Sequence, residues 1–179
     1  MGRFKFDKGK AISSVLYITE RLPKADLHKL SKILYFADQK HLVKYGRPIS
    51  GDFYIAMDNG PVPSQIYDML KTVRGDSLYK TNEYNEFFKV EQSYIVLPLC
   101  KPDLDEFSES DLECLDESIA ENRDLSFKDL KIKSHGEAYN CAGLNSTISV
   151  EKIAKEGGAE KEMINFLKDE MEFINLYNV

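Results

Sequence analysis

Residues 35–68, YFADQKHLVKYGRPISGDFYIAMDNGPVPSQIYD, decide how this chain is read. A helix-like segment runs into a loop dense in glycine and proline, and the loop empties into a second helix-like segment. Gly46, Pro48, Gly51, Gly60, Pro61 and Pro63 fall within eighteen residues. Glycine admits backbone conformations that a side chain forbids, and proline removes freedom from the unbound loop. The sequence therefore specifies a shaped loop, and shaped loops commonly carry function. Pre-ordering also lowers the entropy lost on association. Arg47, Tyr54, Met57 and Asn59 lie in the loop and Tyr67 just beyond it; Tyr and Arg in particular anchor interfaces. Alternation over 53–57 places Phe53, Ile55 and Met57 on one face and Tyr54 and Ala56 on the other, so one face is core. An architectural role and partner binding both fit this loop.

Helical patterns surround it. Ile12, Val15, Leu16 and Thr19 recur at helical spacing over Lys8–Arg21, Asp7 is a cap, and Leu22-Pro23 ends the run. A longer helix over Asp26–Lys44 carries Leu27, Leu30, Leu34 and Ala37 in one stripe, widened by Ile33, Phe36 and Leu42. Gly46 is its left-handed terminator and Pro48 excludes continuation. Val62–Val73 is helical, with Pro63 in the first turn. Residues 74–86 read as a polar, mobile connection. Residues 87–90 and 94–97 read as a short hairpin through Glu91-Gln92-Ser93, with Phe53–Met57 a candidate third strand.

Ser110-Asp111-Leu112-Glu113 fits a capping box for a helix reaching Asn122, and Ser126–Asp129 repeats the device. Residues 135–143 form a short helix or turn, with Ser134 placed to cap toward Glu137. Ile153-Ala154 belong to a helix ended by Gly157-Gly158. Ala159–Tyr177 is the last helix, with Met163, Phe166, Leu167, Met171 and Ile174 as its buried face and Phe173 and Leu176 beside them. The sum is an α+β fold: a mainly helical single domain over residues 1–179 with a small antiparallel β-sheet of two or three strands.

The 179 residues suffice for one sizeable core. No apolar run approaches a membrane span, and the N-terminus reads as the start of the fold, not a signal peptide. Cys100, Cys114 and Cys141 form no disulfide framework and read as buried thiols in a reducing cytoplasm. The net charge of −6 hides a division: residues 1–50 hold eleven Lys/Arg against four Asp/Glu, a sum of +7, which leaves −13 for the rest. Residues 101–124 alone hold ten acids against two bases. Such a chain does not suit non-specific nucleic-acid binding, although the basic first segment offers a contact to nucleic acid or an acidic partner, and the acidic remainder to a basic one.

Recognisable chemistry is missing. There is no phosphate loop, no HExxH and no nucleophile elbow. His28, His41 and His135 are scattered, so no metal site is expected. His41 sits one turn from Asp38, which suits a structural pair. His135 and Glu137 are the one place where an acid–base pair is conceivable, with a buried histidine bonded to a loop carbonyl as the structural alternative. No catalytic residue and no cofactor are assigned.

KILYFADQKHLVKYGRPISGDFYIAMDNGPVPSQIYD (residues 32–68) resembles the signature block of the Panacea domain, also called SocA-like or GepA-like. The matching pieces are Lys32 to Asp38, Tyr45 to Asp52, Gly60 to Pro63 and Tyr67-Asp68, with Ile33 where Leu is commoner. SHGEAYN (residues 134–140) resembles the family's Ser-His-x-Glu-x-Trp segment, with Tyr139 in place of Trp. The resemblance implies an antitoxin that neutralises a cognate toxin by direct protein contact and has no accepted catalytic residues. One relative delivers its toxin to a cytoplasmic protease, so a proteolytic adaptor is the alternative; a hydrolase or nuclease centred on His135 and Glu137 is a third. The implied location is the cytoplasm, the implied origin bacterial or prophage, with the oligomeric state open. The surface expected to meet the partner is Arg47, Tyr54, Met57, Asn59, Tyr67 and His135. Partner specificity is alternatively carried by residues 74–86 or the last helix.

Overall fold

The computed structural model describes residues 2–77 and 81–177. Helix α1 (Lys8–Arg21) leads into α2 (Leu27–Tyr45), and a first hairpin follows, β1 (Tyr54–Met57) with β2 (Gly60–Pro63). Helix α3 (Ser64–Arg74) precedes a second hairpin, β3 (Phe88–Glu91) with β4 (Ile95–Pro98). After a 3-10 turn at Leu104–Glu106 come α4 (Glu109–Asn122), α5 (Phe127–Ser134), α6 (Glu137–Asn140), α7 (Val150–Glu156) and α8 (Lys161–Tyr177). The protein is thus mainly helical with small antiparallel strand pairs.

Helix α2 is the organising element because it is buried over most of its circumference, the polar Ser31, Lys32, Asp38 and His41 included. Leu27, Leu30, Ile33, Leu34 and Ala37 enter one core with α1, α3, α4 and the second hairpin. Tyr35, Phe36 and Leu42 enter another with Tyr54, Ala56, Leu130, Ile148, Ile153 and Leu167. Its ends are set as its sequence dictates: Asp26 accepts from the Lys29 N–H at 2.6 Å, and Gly46 closes the helix at φ 69°.

The strands form two separate two-stranded sheets, not one sheet with a third strand. β1 pairs with β2 through Asp58-Asn59, in the register Met57↔Gly60, Ala56↔Pro61, Ile55↔Val62 and Tyr54↔Pro63. Hydrogen-bonded and non-bonded positions alternate in such a ladder. Both prolines therefore fall where no N–H is required, which is why so proline-rich a segment can pair at all. The outer edge of β1 is closed by the 145–148 segment: the Ala56 N–H donates to Ser146 O at 3.0 Å and the Ile148 N–H to Tyr54 O at 2.8 Å. The second hairpin docks on the start of α2, with Leu27 N–H to Tyr94 O at 2.9 Å.

Local readings fail in instructive places. The box that opens α4 is Ser108 with Asp111, two residues ahead of the Ser110 expectation. Pro63 is the residue before α3, not a member of its first turn. Ser134 bonds back to Lys131 O and caps nothing; α6 starts on Gly136 without a side-chain cap. On α8 only Leu167 and Met171 are buried, whereas Phe166 and Phe173 are each 51% exposed and Leu176 is 77% exposed. Cys114 is buried as expected, but Cys100 and Cys141 are exposed. The connection expected over 74–86 begins later, because Arg74 still belongs to α3, and residues 78–80 lie outside the described residues.

Candidate functional site

The loop residues split into two groups. The first is architectural. Asp38 is buried, accepts from the Ile49 N–H at 2.6 Å and from the Tyr54 hydroxyl at 2.7 Å, and burial pushes its carboxyl up to about 6 against these hydrogen bonds. Asp52, also buried, accepts from the N–H groups of Phe53, Gln65 and Ile66 at 2.8–3.0 Å and so caps α3. Tyr54 is 2% exposed and belongs to the interior.

Arg47 belongs to a second polar centre at the far end of α2. It reaches Asp111 at 3.0 Å, as Lys10 does at 2.7 Å. His41 does not pair with Asp38: its Nδ1 donates to Arg47 O at 2.7 Å, and its Nε2 lies 3.1 Å from both Ser110 Oγ and Asp111 Oδ1. Burial of Asp111 favours its neutral form, but the hydrogen bonds from His41, Lys10 and Ser108 outweigh that and hold the carboxyl well below its usual range.

The charge division of the sequence closes on itself here. Lys40 and Lys44 of α2 pair with Glu113, Glu117 and Glu121 of α4 at 2.6–3.3 Å, and Arg21 of α1 pairs with Asp116 at 3.5 Å. Much of the basic first segment thus faces the acidic 101–124 segment within the molecule.

Met57, Asn59 and Tyr67 form the second group. They line one groove of ≈ 490 Å³ between the start of α2, the β1–β2 turn and the second hairpin. Leu27, Val62, Tyr94 and Phe127 supply further apolar wall, and His28, Lys32 and Arg74 the basic groups. Tyr94 and Phe127 are about half exposed.

The turn itself is clamped on every side. The Lys32 ammonium donates to Pro61 O at 2.7 Å, and Lys131 donates to Asn59 Oδ1 at 3.0 Å. Tyr139 donates to Met57 O at 2.9 Å, and His28 Nε2 lies 3.2 Å from Asn59 O. Gly60 is required at this point: its φ is 99°, and a Cβ would lie 2.5 Å from Ser134 Oγ and 3.1 Å from Lys32 Nζ.

Lys32 is wholly buried and has no carboxylate within ion-pairing reach among the described residues. Burial, with the nearby Lys131 charge, pushes its ammonium down to about 7. Burial and the Lys32 charge push His28 down to about 4, so its ring is neutral at physiological pH. A neutral ring that faces a carbonyl through Nε2 must carry its proton there, which leaves Nδ1 a bare lone pair. That atom and His135 Nε2 are the buried side-chain polar atoms without a hydrogen-bond partner among the described residues.

His135 does not line the groove but stacks on Tyr139 with ring centroids 4.1 Å apart, one hydrogen bond from Met57. Of the six residues singled out from the sequence, Met57, Asn59 and Tyr67 share one surface, His135 stands behind it, and Tyr54 and Arg47 lie elsewhere. Glu137 is exposed and pairs with Lys155 at 3.0 Å. No group of three or more His, Cys, Asp or Glu among the described residues is placed to hold a metal ion.

Sequence reasoning missed His28, Lys32 and Glu156 as organising residues. Glu156 accepts from Tyr35 at 3.2 Å, Gln39 at 3.1 Å and the Ala138 N–H at 2.8 Å, and so fastens α7 to α2 and α6. Nothing in its local sequence marks it. Lys32 had no signal either, because His28 and Lys29 one turn before it and Gln39 two turns after it give its helical face a polar look.

A model of the SocA-like antitoxin, Panacea domain matches residues 30–140. The chain belongs to that family. The match spans α2 from Leu30 on, both hairpins, α3 and α4 to α6, and so contains the clamped turn and all of the groove but Asp26, Leu27 and His28. No curated protein and no solved structure gave a match. No helix among the described residues is long and apolar enough to cross a membrane.

Proposed function

We propose that this Panacea-domain chain is an antitoxin that neutralises a cognate toxin by direct, stoichiometric contact, acting in the cytoplasm as one domain over residues 1–179. The observation that carries this reading is the groove beside the β1–β2 turn. It joins the exposed aromatics Tyr94 and Phe127 and the half-buried Met57 to a backbone turn held by side chains from α2, α5 and α6. Concave, largely apolar surface with a few fixed polar groups is what a protein anchor fills. A turn already fixed before binding loses little entropy on association. Met57, Asn59 and Tyr67 make the contact, and His135 supports it through Tyr139. No bond is made or broken. Co-purification with the product of the adjacent reading frame tests this reading: an equimolar complex is expected, and Tyr67→Ala with Met57→Asp should dissolve it while leaving the fold intact. Full neutralisation without a complex contradicts it.

A further inference from the structure

The last helix presents a surface the groove does not explain. At about 100° per residue, Phe166, Phe173 and Tyr177 of α8 fall within roughly 40° of one another on the helix. The line midway between the buried Leu167 and Met171 lies about 120° away. The three aromatics are 51%, 51% and 64% exposed, and Phe173 and Tyr177 lie with ring centroids 4.7 Å apart. Isolated exposed apolar residues are ordinary, whereas a stripe of them along three turns is not.

The charge beside the stripe is one-sided. Glu162 and Asp169 flank it on one edge and Glu170 on the other, each within about 60° of its centre, while Lys161 and Lys168 lie roughly 140–160° away. Glu113, Asp116, Glu117 and Glu121 of α4 are answered by Lys40, Lys44 and Arg21. Glu162, Asp169 and Glu170 have no ion-pair partner among the described residues. A second copy of the chain docking by the same stripe would bring two such acidic edges together, which disfavours self-association.

We infer that the outward stripe of α8 is a docking surface for a basic amphipathic helix of a partner protein, the apolar face of that helix covering Phe166, Phe173 and Tyr177 and its cations meeting Glu162, Asp169 and Glu170. The surface is distinct from the groove. Gly46, which abuts Phe166, lies roughly 27 Å along α2 from His28. The inference does not depend on the toxin reading.

The chain contains no tryptophan, so a basic Leu/Lys amphipathic peptide with one Trp on its apolar face reports binding directly. The expected result is an equimolar complex with blue-shifted Trp emission and an affinity that falls as salt is raised. Phe173→Ser should weaken it about tenfold or more, and so should the triple change Glu162→Gln, Asp169→Asn, Glu170→Gln, which leaves the apolar packing untouched. A Leu/Glu peptide of the same pattern should not bind. Neutralising Asp103, Asp105 and Glu106 instead should leave affinity unchanged; an equal loss there would make the attraction diffuse and overturn the proposal. Equal binding of both peptides would overturn it too. So would self-association in sedimentation equilibrium that Phe173→Ser abolishes, or binding to anionic vesicles that displaces the peptide.

Discussion

The Lys32 ammonium lies 2.7 Å from the Pro61 carbonyl, inside the protein and with no carboxylate beside it among the described residues. A buried lysine in such a place is held for geometry, because it ties the organising helix to the turn that borders the groove. Its charge is a standing cost.

That cost has a pH signature. Lys32 titrates near 7 in the folded protein against 10.5 in the unfolded chain. Between those values the unfolded chain binds more protons, so this residue's contribution to stability rises with pH across that window. Chemical denaturation of the native chain and of Lys32→Met should show the native chain gaining relative to the variant from about pH 7 upward, by at most about 1.4 kcal/mol per pH unit. A pH-independent difference would mean that Lys32 titrates normally.

Gly60→Ala should destabilise the protein by about 1–3 kcal/mol, because it strains a backbone at φ 99° and drives a methyl into Ser134 Oγ. Combining it with Ser134→Ala should recover only the steric part. Full recovery in a double-mutant cycle would show that the backbone conformation is free to change.

Asp111→Asn removes the charge that Lys10 and Arg47 share. A loss of about 3 kcal/mol is expected, at the low end for a buried ion pair because the Arg47 side chain is 40% exposed. The carboxyl titrates below its unfolded value of 3.8, so its stabilisation is present above that pH and disappears as the pH falls below it. The gap between native and variant midpoints should therefore close under acid.

The second hairpin turns through Gln92 and Ser93 at φ 50° and 67°, both left-handed and neither a glycine. Ser93→Gly should stabilise the chain by about 0.5–1 kcal/mol, read as a higher denaturation midpoint with unchanged slope.

Much of the fold was legible because its signals are local. Asp7, Gly46 and Ser126 mark helix ends through interactions with residues at most four away, and each stands where it was expected. The strand pairing was not legible: whether Tyr54–Met57 pairs with 60–63 or with 88–98 depends on tertiary position, and the prolines at 61 and 63 argue against a strand until the register places them at non-bonded sites. The exposed side of α8 was misread for a related reason. A helix with apolar residues around two-thirds of its circumference does not say which third faces the core.

The groove was half visible. Met57, Asn59 and Tyr67 stood out by residue type, but Tyr54 and Arg47 have the same chemistry and are consumed by Asp38 and Asp111, both distant in sequence from at least one partner. His28 was dismissed as a metal ligand, and its place against Asn59 O and Phe127 arises only from folding.

The central claim is that this chain acts by covering its toxin and not by turnover. Titrating toxin activity against increasing amounts of the purified chain tests it most directly. The account predicts a linear fall to an end point at equimolar protein, shifted or lost when Tyr67→Ala and Met57→Asp are combined. Complete neutralisation by a small fraction of an equivalent, or an end point indifferent to those two changes, would contradict it.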